Sequence, residues 1–204
     1  MDEALEHDRG LTATRRRFLH GTGLGGLAAC TLPLTFRSQP AAAQEAGDAA
    51  ITAFLESIEL AIVEVYGRID VELLTPELVA TVARFAEHHR EHARALAEAA
   101  GDEATGEPNV ELVDDLHEQL ARAGDETAVV DIAFSLETSA AGTYLFALGA
   151  LEARDALALA ASVLPVESEH AVVFGTALDL PVPDLVPSFD NQDAAFKPEA
   201  FPID

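Results

Sequence analysis

Apolar residues recur at steps of three and four along most of the chain between residues 48 and 178. This period is that of one face of an α-helix. It predicts four long helices, at about residues 48–70, 76–100, 126–151 and 156–178, and a shorter amphipathic helix at 109–123. Two tight hairpins joined by one long crossover are typical of an all-α four-helix bundle, which we expect to span residues 48–178.

The helix ends carry recognisable signals. Thr75 and Pro76 are expected to be the N-cap and first helical residue of the second helix. Asp125 and Asp155 are expected to cap the third and fourth helices, and Pro165 predicts a kink in the fourth.

Residues 179–204 hold five of the prolines. This composition predicts an extended C-terminal tail without regular structure. We expect three aromatic side chains, Phe189, Phe196 and Phe201, to pin the tail onto the bundle.

The N-terminal 43 residues differ from the rest. Thr14 precedes three arginines, Phe18 and Leu19, and a Gly- and Ala-rich apolar stretch follows at residues 21–36. This arrangement resembles a twin-arginine export signal, and the apolar stretch is too weak for a confident membrane span. We expect cleavage near Ala43 and an exported product, secreted or periplasmic. Cys30 ends a stretch that also resembles a lipoprotein box, so a lipid anchor at Cys30 is the alternative.

The charge balance excludes one class of partner. The chain carries 36 acidic residues against 12 Lys and Arg, a net charge of −24, which makes nucleic-acid binding very unfavourable. The acidic surface is either a solvated shell or a means of enriching cations near a metal site. With a single cysteine, neither an intramolecular disulfide nor a thiolate metal site is possible. The tail and the export signal favour a monomer or homodimer over a closed cage.

Two groups of polar residues repeat at one offset. The sequence HREHA at 89–93 is matched by ESEHA at 167–171, and 167 − 89 = 78. Glu59 and Tyr66 are matched by Glu137 and Tyr144 at the same offset, since 137 − 59 = 78 and 144 − 66 = 78. The repeat indicates a duplicated helical hairpin with a shared site.

Several of these polar residues lie on the apolar faces of their helices. Glu59 and Glu137 stand among apolar neighbours, where a lone buried carboxylate must be protonated or paired. Residues 89 and 92, like residues 167 and 170, are three apart and share a helix face. In a bundle these faces can converge on a metal ion. The candidate ligands are Glu59, His89, His92, Glu137, Glu167 and His170; the alternative is outward-facing carboxylates and hydrogen-bonded core histidines.

A Glu on each of two helices with Glu-x-x-His motifs on the others resembles the ferritin-like, rubrerythrin-related di-iron carboxylate family. Residues 162–171 are also similar to the fourth helix of exported ferritin-like proteins, including the desiccation-related group. The resemblance covers about residues 48–178 and implies a mono- or dinuclear site for iron or another divalent metal. It implies Fe(II) oxidation with O₂ or peroxide. It makes Glu167 a bridging ligand and His92 and His170 terminal ligands, with Glu59 and Glu137 as the carboxylates of the other two helices.

His89 departs from the family pattern, which has a bridging Glu at this position. An imidazole cannot bridge two ions as a carboxylate does, so one metal or an unequal pair is expected as readily as a complete di-iron centre. A bundle that has lost its metal, with a structural, stress-related or interaction role, is the alternative. Tyr66 and Tyr144 are expected either to hydrogen-bond the ligands or to pack in the core. Glu56, Glu64 and His88 are expected at the surface.

Overall fold

The computed structural model describes residues 41–186 and 192–203, with the backbone alone at 41–46. The arginine motif, Cys30 and Phe189 lie outside the described residues. These described ranges hold six α-helices in chain order: α1 at Ala41–Gly67, α2 at Pro76–Ala100, α3 at Val110–Leu120, α4 at Glu126–Ala150, α5 at Arg154–Ala177 and α6 at Val182–Leu185. No strand occurs within these described ranges.

The helices form the predicted bundle. Helix α1 packs along α2 and α4 packs along α5, while α3 lies against α1 and α4 as the crossover. Contacts of α1 with α4 and of α2 with α5 close the bundle. The all-α prediction is therefore confirmed, and α1 begins earlier than the residue 48 at which its apolar period starts.

The interior joins apolar side chains from all four long helices. Phe54, Ile62 and Phe174 are almost fully buried in one cluster, which also contacts α3 and the tail. Leu55 and Leu96 belong to a second cluster. Burying a side chain of this size stabilises a fold by roughly 1.5–3 kcal/mol.

The predicted cap of α4 is made by the expected side chain, and α3 has a cap of the same kind that was not predicted. The Asp125 carboxylate accepts a hydrogen bond from the Ala128 amide at 2.9 Å. Asn109, which directly precedes α3, accepts one from the Leu112 amide at 3.2 Å. Thr75 occupies the N-cap of α2, although its side chain makes no capping bond.

The predicted Asp155 cap is wrong. Helix α5 begins one residue earlier, after Ala153, and Asp155 lies in its first turn. Buried Asp48 of α1 supplies the acceptor instead, taking hydrogen bonds from the amides of Glu152 at 3.0 Å and Ala153 at 2.6 Å. A tertiary contact has replaced the local cap. The helix then continues through Pro165 as far as Ala177.

Glu56 is also placed differently from the prediction, since it is buried rather than at the surface. Its carboxylate accepts hydrogen bonds from the amides of Thr105 at 2.8 Å and Gly106 at 3.1 Å. It therefore holds the loop between α2 and α3. Glu64 is half-exposed and pairs with Arg68.

The tail contains one short helix, α6, so the expectation of no regular structure is wrong at residues 182–185. Phe196 is buried in the core, and its amide donates to the Thr143 hydroxyl at 2.8 Å. Phe201 packs edge-on against Phe196. Both aromatic residues thus hold the tail on the bundle.

By length and composition alone, α5 could cross a membrane; it is the one such helix in the part of the chain that the structure describes. The same helix contributes buried Glu167 and His170 to the bundle interior. The core helix of a bundle can be as long and as apolar as a membrane span, so length and composition do not distinguish the two.

Gly175 of α5 permits the close approach of α6. A Cβ built at this position would lie 2.3 Å from Leu185 Cδ2 and 3.0 Å from a ring carbon of Phe134. Relative to a helical Gly→Ala change with no close neighbours, we expect Gly175→Ala to lower the free energy of unfolding by about 1–3 kcal/mol, because the new Cβ must displace the Leu185 and Phe134 side chains. Gly149→Ala is the matched control in α4, with no atom within 4 Å of its new Cβ. Denaturant unfolding should find the control no less stable than wild type; equal losses in both variants would contradict the packing argument.

Candidate metal centre

The structure brings all six sequence-predicted ligand candidates to one place inside the bundle. Glu59 comes from α1, His89 and His92 from α2, Glu137 from α4, and Glu167 and His170 from α5. Five of the side chains are at most 3% exposed, and His92, with 14%, is the most accessible. Each helix supplies these groups because the apolar face on which they lie is also the face that packs inward.

The candidate ligand atoms form two overlapping groups. We call Glu59, His89, His92 and Glu167 the His92 half, and His89, Glu137, Glu167 and His170 the His170 half. Within each half, one atom from every residue lies within 4.8 Å of the others. The two halves share His89 and Glu167, which are the residues that the 78-residue repeat pairs with each other.

His89 spans the two halves. Its Nδ1 lies 2.6 Å from Glu59 Oε2, and its Nε2 lies 3.2 Å from Glu137 Oε1. The ring is fully buried, so each nitrogen faces the carboxylate of one half. The two oxygens of a glutamate at this position could both contact the same metal ion or one ion in each half. The two nitrogens of the imidazole point in opposite directions, so one faces each half.

Glu167 carries unpaired acceptors. Both of its carboxylate oxygens, and Nδ1 of His92, are buried without a hydrogen-bond partner, and they are the only such atoms among the described side chains. His92 Nδ1 lies 2.9 Å from Glu167 Oε1, but without the alignment of a hydrogen bond. Buried polar atoms are normally satisfied, and three unsatisfied acceptor or donor atoms at one point are the kind of group that could hold a cation. Carboxylate oxygens with imidazole nitrogens suit Fe(II), Mn(II) or Zn(II), and the residues present therefore fit a divalent metal.

Two tyrosines link the halves. The Tyr66 hydroxyl of α1 donates to Glu137 of α4, and the Tyr144 hydroxyl of α4 donates to Glu59 of α1. The exchange follows from the repeat, which sets each tyrosine seven residues after the carboxylate of its own helix. Each phenol orients the carboxylate of the opposite helix.

Two of the three carboxylates favour their charged form. Burial raises the pKa of Glu59, but the charge and hydrogen bond of His89, together with the nearby His92, outweigh burial and lower the pKa to about 2. For Glu137, burial is likewise outweighed by the His89 charge and by hydrogen bonds from His170 and His89, so its pKa is lowered. At Glu167 burial prevails despite the His89 charge, and the pKa is raised.

The three histidines take up the opposite charge. Burial lowers the pKa of His92, but the close carboxylates of Glu167 at 2.9 Å and Glu59 at 3.6 Å raise it to about 9. Burial is also outweighed at His89, where the charges of Glu167 and Glu137 raise the pKa well above 6.5. The pKa of His170 is raised too, against the effect of burial, by its hydrogen bond with Glu137 and by the nearby Glu167 carboxylate. The metal-free cluster therefore holds its own protons as counter-charges.

The apparent metal affinity is expected to rise with pH below about 9. His92 carries a proton there, and a cation has to displace that proton before Nδ1 can bind it. One displaced proton corresponds to about tenfold in affinity per pH unit. Calorimetric titration with Zn(II) in buffers of different ionisation enthalpy would count the protons released. An affinity that stays constant between pH 6.5 and 9 would contradict this account of His92.

His88 was missed by sequence reasoning, which expected it at the surface. Its Nδ1 lies 2.9 Å from Nε2 of His170, and the residue is half-buried. Burial and the neighbouring His170 lower its pKa. The available signal was its position four residues before His92, one helical turn away on the same side of α2.

Comparison with protein families gives one match. A model of the ferritin-like domain matches residues 34–180, more than half of the chain, so the chain belongs to the ferritin-like family. No curated protein matches the chain, and no solved structure does. The bundle and the buried His/Glu cluster are those expected of a ferritin-like domain that binds metal.

Proposed function

We propose that this ferritin-like protein binds iron or a similar divalent metal, with Glu59, His89, His92, Glu137, Glu167 and His170 as ligands. The observation that carries the proposal is the unpaired carboxylate of Glu167, which both halves share. Such a carboxylate, buried beside two others and without a hydrogen-bond partner of its own, favours a bound cation as its counter-charge.

Bound iron would supply Fe(II) oxidation by O₂ or peroxide. The chain's own groups perform three tasks in that role. Glu59, Glu137 and Glu167 would neutralise the positive charge of the bound metal. Tyr66 and Tyr144 hold two of these carboxylates in place by hydrogen bonds. The surrounding apolar side chains exclude bulk water. His92, the most exposed member of the cluster, marks the side from which small molecules reach it.

We further propose that the protein is exported by the twin-arginine route. Support comes from the arginines at residues 15–17 with Phe18 and Leu19. The mature protein is then a soluble monomer or homodimer, or is anchored by a lipid on Cys30. A relation to rubrerythrins rests on the Glu and Glu-x-x-His pattern of the four helices, and a relation to the desiccation-related ferritin-like proteins rests on residues 162–171.

A bundle without metal is the second candidate function, and His89 favours it. Its two nitrogens already pair with Glu59 and Glu137, so part of the cluster is satisfied by hydrogen bonds alone. Such a protein would have a structural or interaction role in the envelope.

Anaerobic titration with Fe(II), followed by exposure to O₂, distinguishes the two candidates. The metal-binding function predicts one or two Fe(II) per chain and a ferric absorbance that develops after O₂ is added. Retention of Fe(II) without faster oxidation than in buffer would remove the redox part of the proposal. If the protein retains no Fe(II) at all, the second candidate function, a bundle without metal, is favoured.

A further inference from the structure

His170 is held on three sides. Its Nδ1 faces the cluster, 3.3 Å from Glu137 Oε2 and 3.6 Å from Glu167 Oε2, and its Nε2 faces His88. Phe85 stacks on the ring at a centroid distance of 3.8 Å, and the His88 ring lies nearly parallel to it at 5.2 Å. The orientation of this ligand candidate is therefore fixed by residues outside the cluster.

The contact between the His88 and His170 imidazoles determines where His170 can carry its ring proton when it binds a metal. A nitrogen that binds a cation must offer a lone pair, so a metal at Nδ1 of His170 requires the ring proton on Nε2. That N–H donates to Nδ1 of His88, which is the hydrogen bond that the 2.9 Å distance allows. A partner on the second nitrogen orients a ligating histidine and makes it a stronger ligand.

The repeat gives His92 no such partner on α5. The residue 78 positions after His88 is Val166, since 166 − 88 = 78. A valine side chain has no atom that can accept a hydrogen bond. The two halves therefore match in their ligand types and differ in what supports their terminal histidines.

We propose that His88 is a positioning residue that orients His170 and makes the His170 half the tighter of the two halves. The first metal ion then fills this half, and the His92 half fills second or remains empty. This inference rests on the proposed metal-binding function and explains which side of an unequal site is occupied.

Two substitutions separate the hydrogen bond from packing. His88→Phe keeps a ring next to His170 and Phe85 and removes the acceptor, whereas His88→Gln restores an acceptor oxygen. Val166→Ala is the control at the corresponding position of the repeat. In anaerobic Zn(II) titrations against a chelator, we expect His88→Phe to weaken the first binding step by about 10–100-fold. His88→Gln should recover most of that loss, and Val166→Ala should bind like wild type.

Nuclear magnetic resonance of the histidine rings gives a readout that packing alone would not move. One equivalent of Zn(II) should shift the His170 signals before those of His92 and leave the His170 proton on Nε2. If His92 shifts first, or if His88→Phe binds as tightly as wild type, the inference is wrong. If wild type binds no Zn(II), the proposed function itself fails. Circular dichroism of each variant shows whether the helices are intact, and a His88→Phe variant that unfolds leaves the order of the ring shifts in wild type as the deciding result.

Discussion

Replacing Glu167 with alanine is expected to abolish tight metal binding, whereas replacing Glu169 should leave it unchanged. Glu167 is the one carboxylate that both halves share, and neither of its oxygens has another partner. Glu169 lies two residues further along α5 and is exposed. The two variants remove the same charge from the same helix, so a general loss of negative charge cannot explain a difference between them.

Chelator competition with Fe(II) under anaerobic conditions would measure this effect. We expect the Glu167→Ala variant to retain near zero metal at a chelator concentration that leaves wild type fully loaded. Its metal-free fold should remain, because the substitution also removes an unsatisfied buried group. Equal affinities of the Glu167→Ala and Glu169→Ala variants would exclude Glu167 as a ligand.

The second large effect concerns stability without metal. We expect Glu59→Ala to lower the free energy of unfolding by about 3–5 kcal/mol, because it removes the carboxylate closest to His89 Nδ1 and leaves buried histidine charge that the other two carboxylates compensate only in part. The Tyr144 hydroxyl also loses its acceptor. For a chain of this size, about 2–4 °C per kcal/mol corresponds to a fall in Tm of roughly 6–20 °C.

The size of this effect depends on pH. The pKa of Glu59 lies at about 2 in the folded chain, below its ordinary value of 4.5. Its ionised form therefore stabilises the fold fully above pH 4.5, and this stabilisation is lost as the pH falls through about 2. Thermal unfolding of chelator-treated protein should be measured above pH 4.5. Glu64→Ala, which removes only a half-exposed ion pair with Arg68, is the control and should cost less than about 1 kcal/mol. A Glu59→Ala variant as stable as this control would show that the carboxylate does not stabilise the metal-free cluster.

The sequence alone predicted the bundle and the membership of the cluster because both depend on helical periodicity. Steps of three and four residues define which side chains face inward, and residues three apart necessarily share a face. The 78-residue offset of the sequence repeat then paired Glu59 with Glu137 and His92 with His170. These relations hold whatever the exact angles between the helices.

The features that sequence reasoning missed depend on what faces a side chain from another element. Glu56 accepts hydrogen bonds from a loop about fifty residues away. Asp48 of α1 accepts hydrogen bonds from the backbone amides that directly precede α5. His88 meets His170 across the seam of α2 and α5. A helical pattern specifies the direction of a residue but not its tertiary partner. For the same reason it could not show that the nitrogens of His89 face opposite halves.

Elemental analysis of the wild-type protein tests the central claim most directly. Protein purified from the compartment where it accumulates, and protein reconstituted anaerobically with Fe(II), should both be compared with a Glu59→Ala/His170→Ala variant. We predict one or two metal ions per wild-type chain and near zero in the variant. Wild-type protein that retains no more metal than the variant after reconstitution would contradict a metal centre in this bundle.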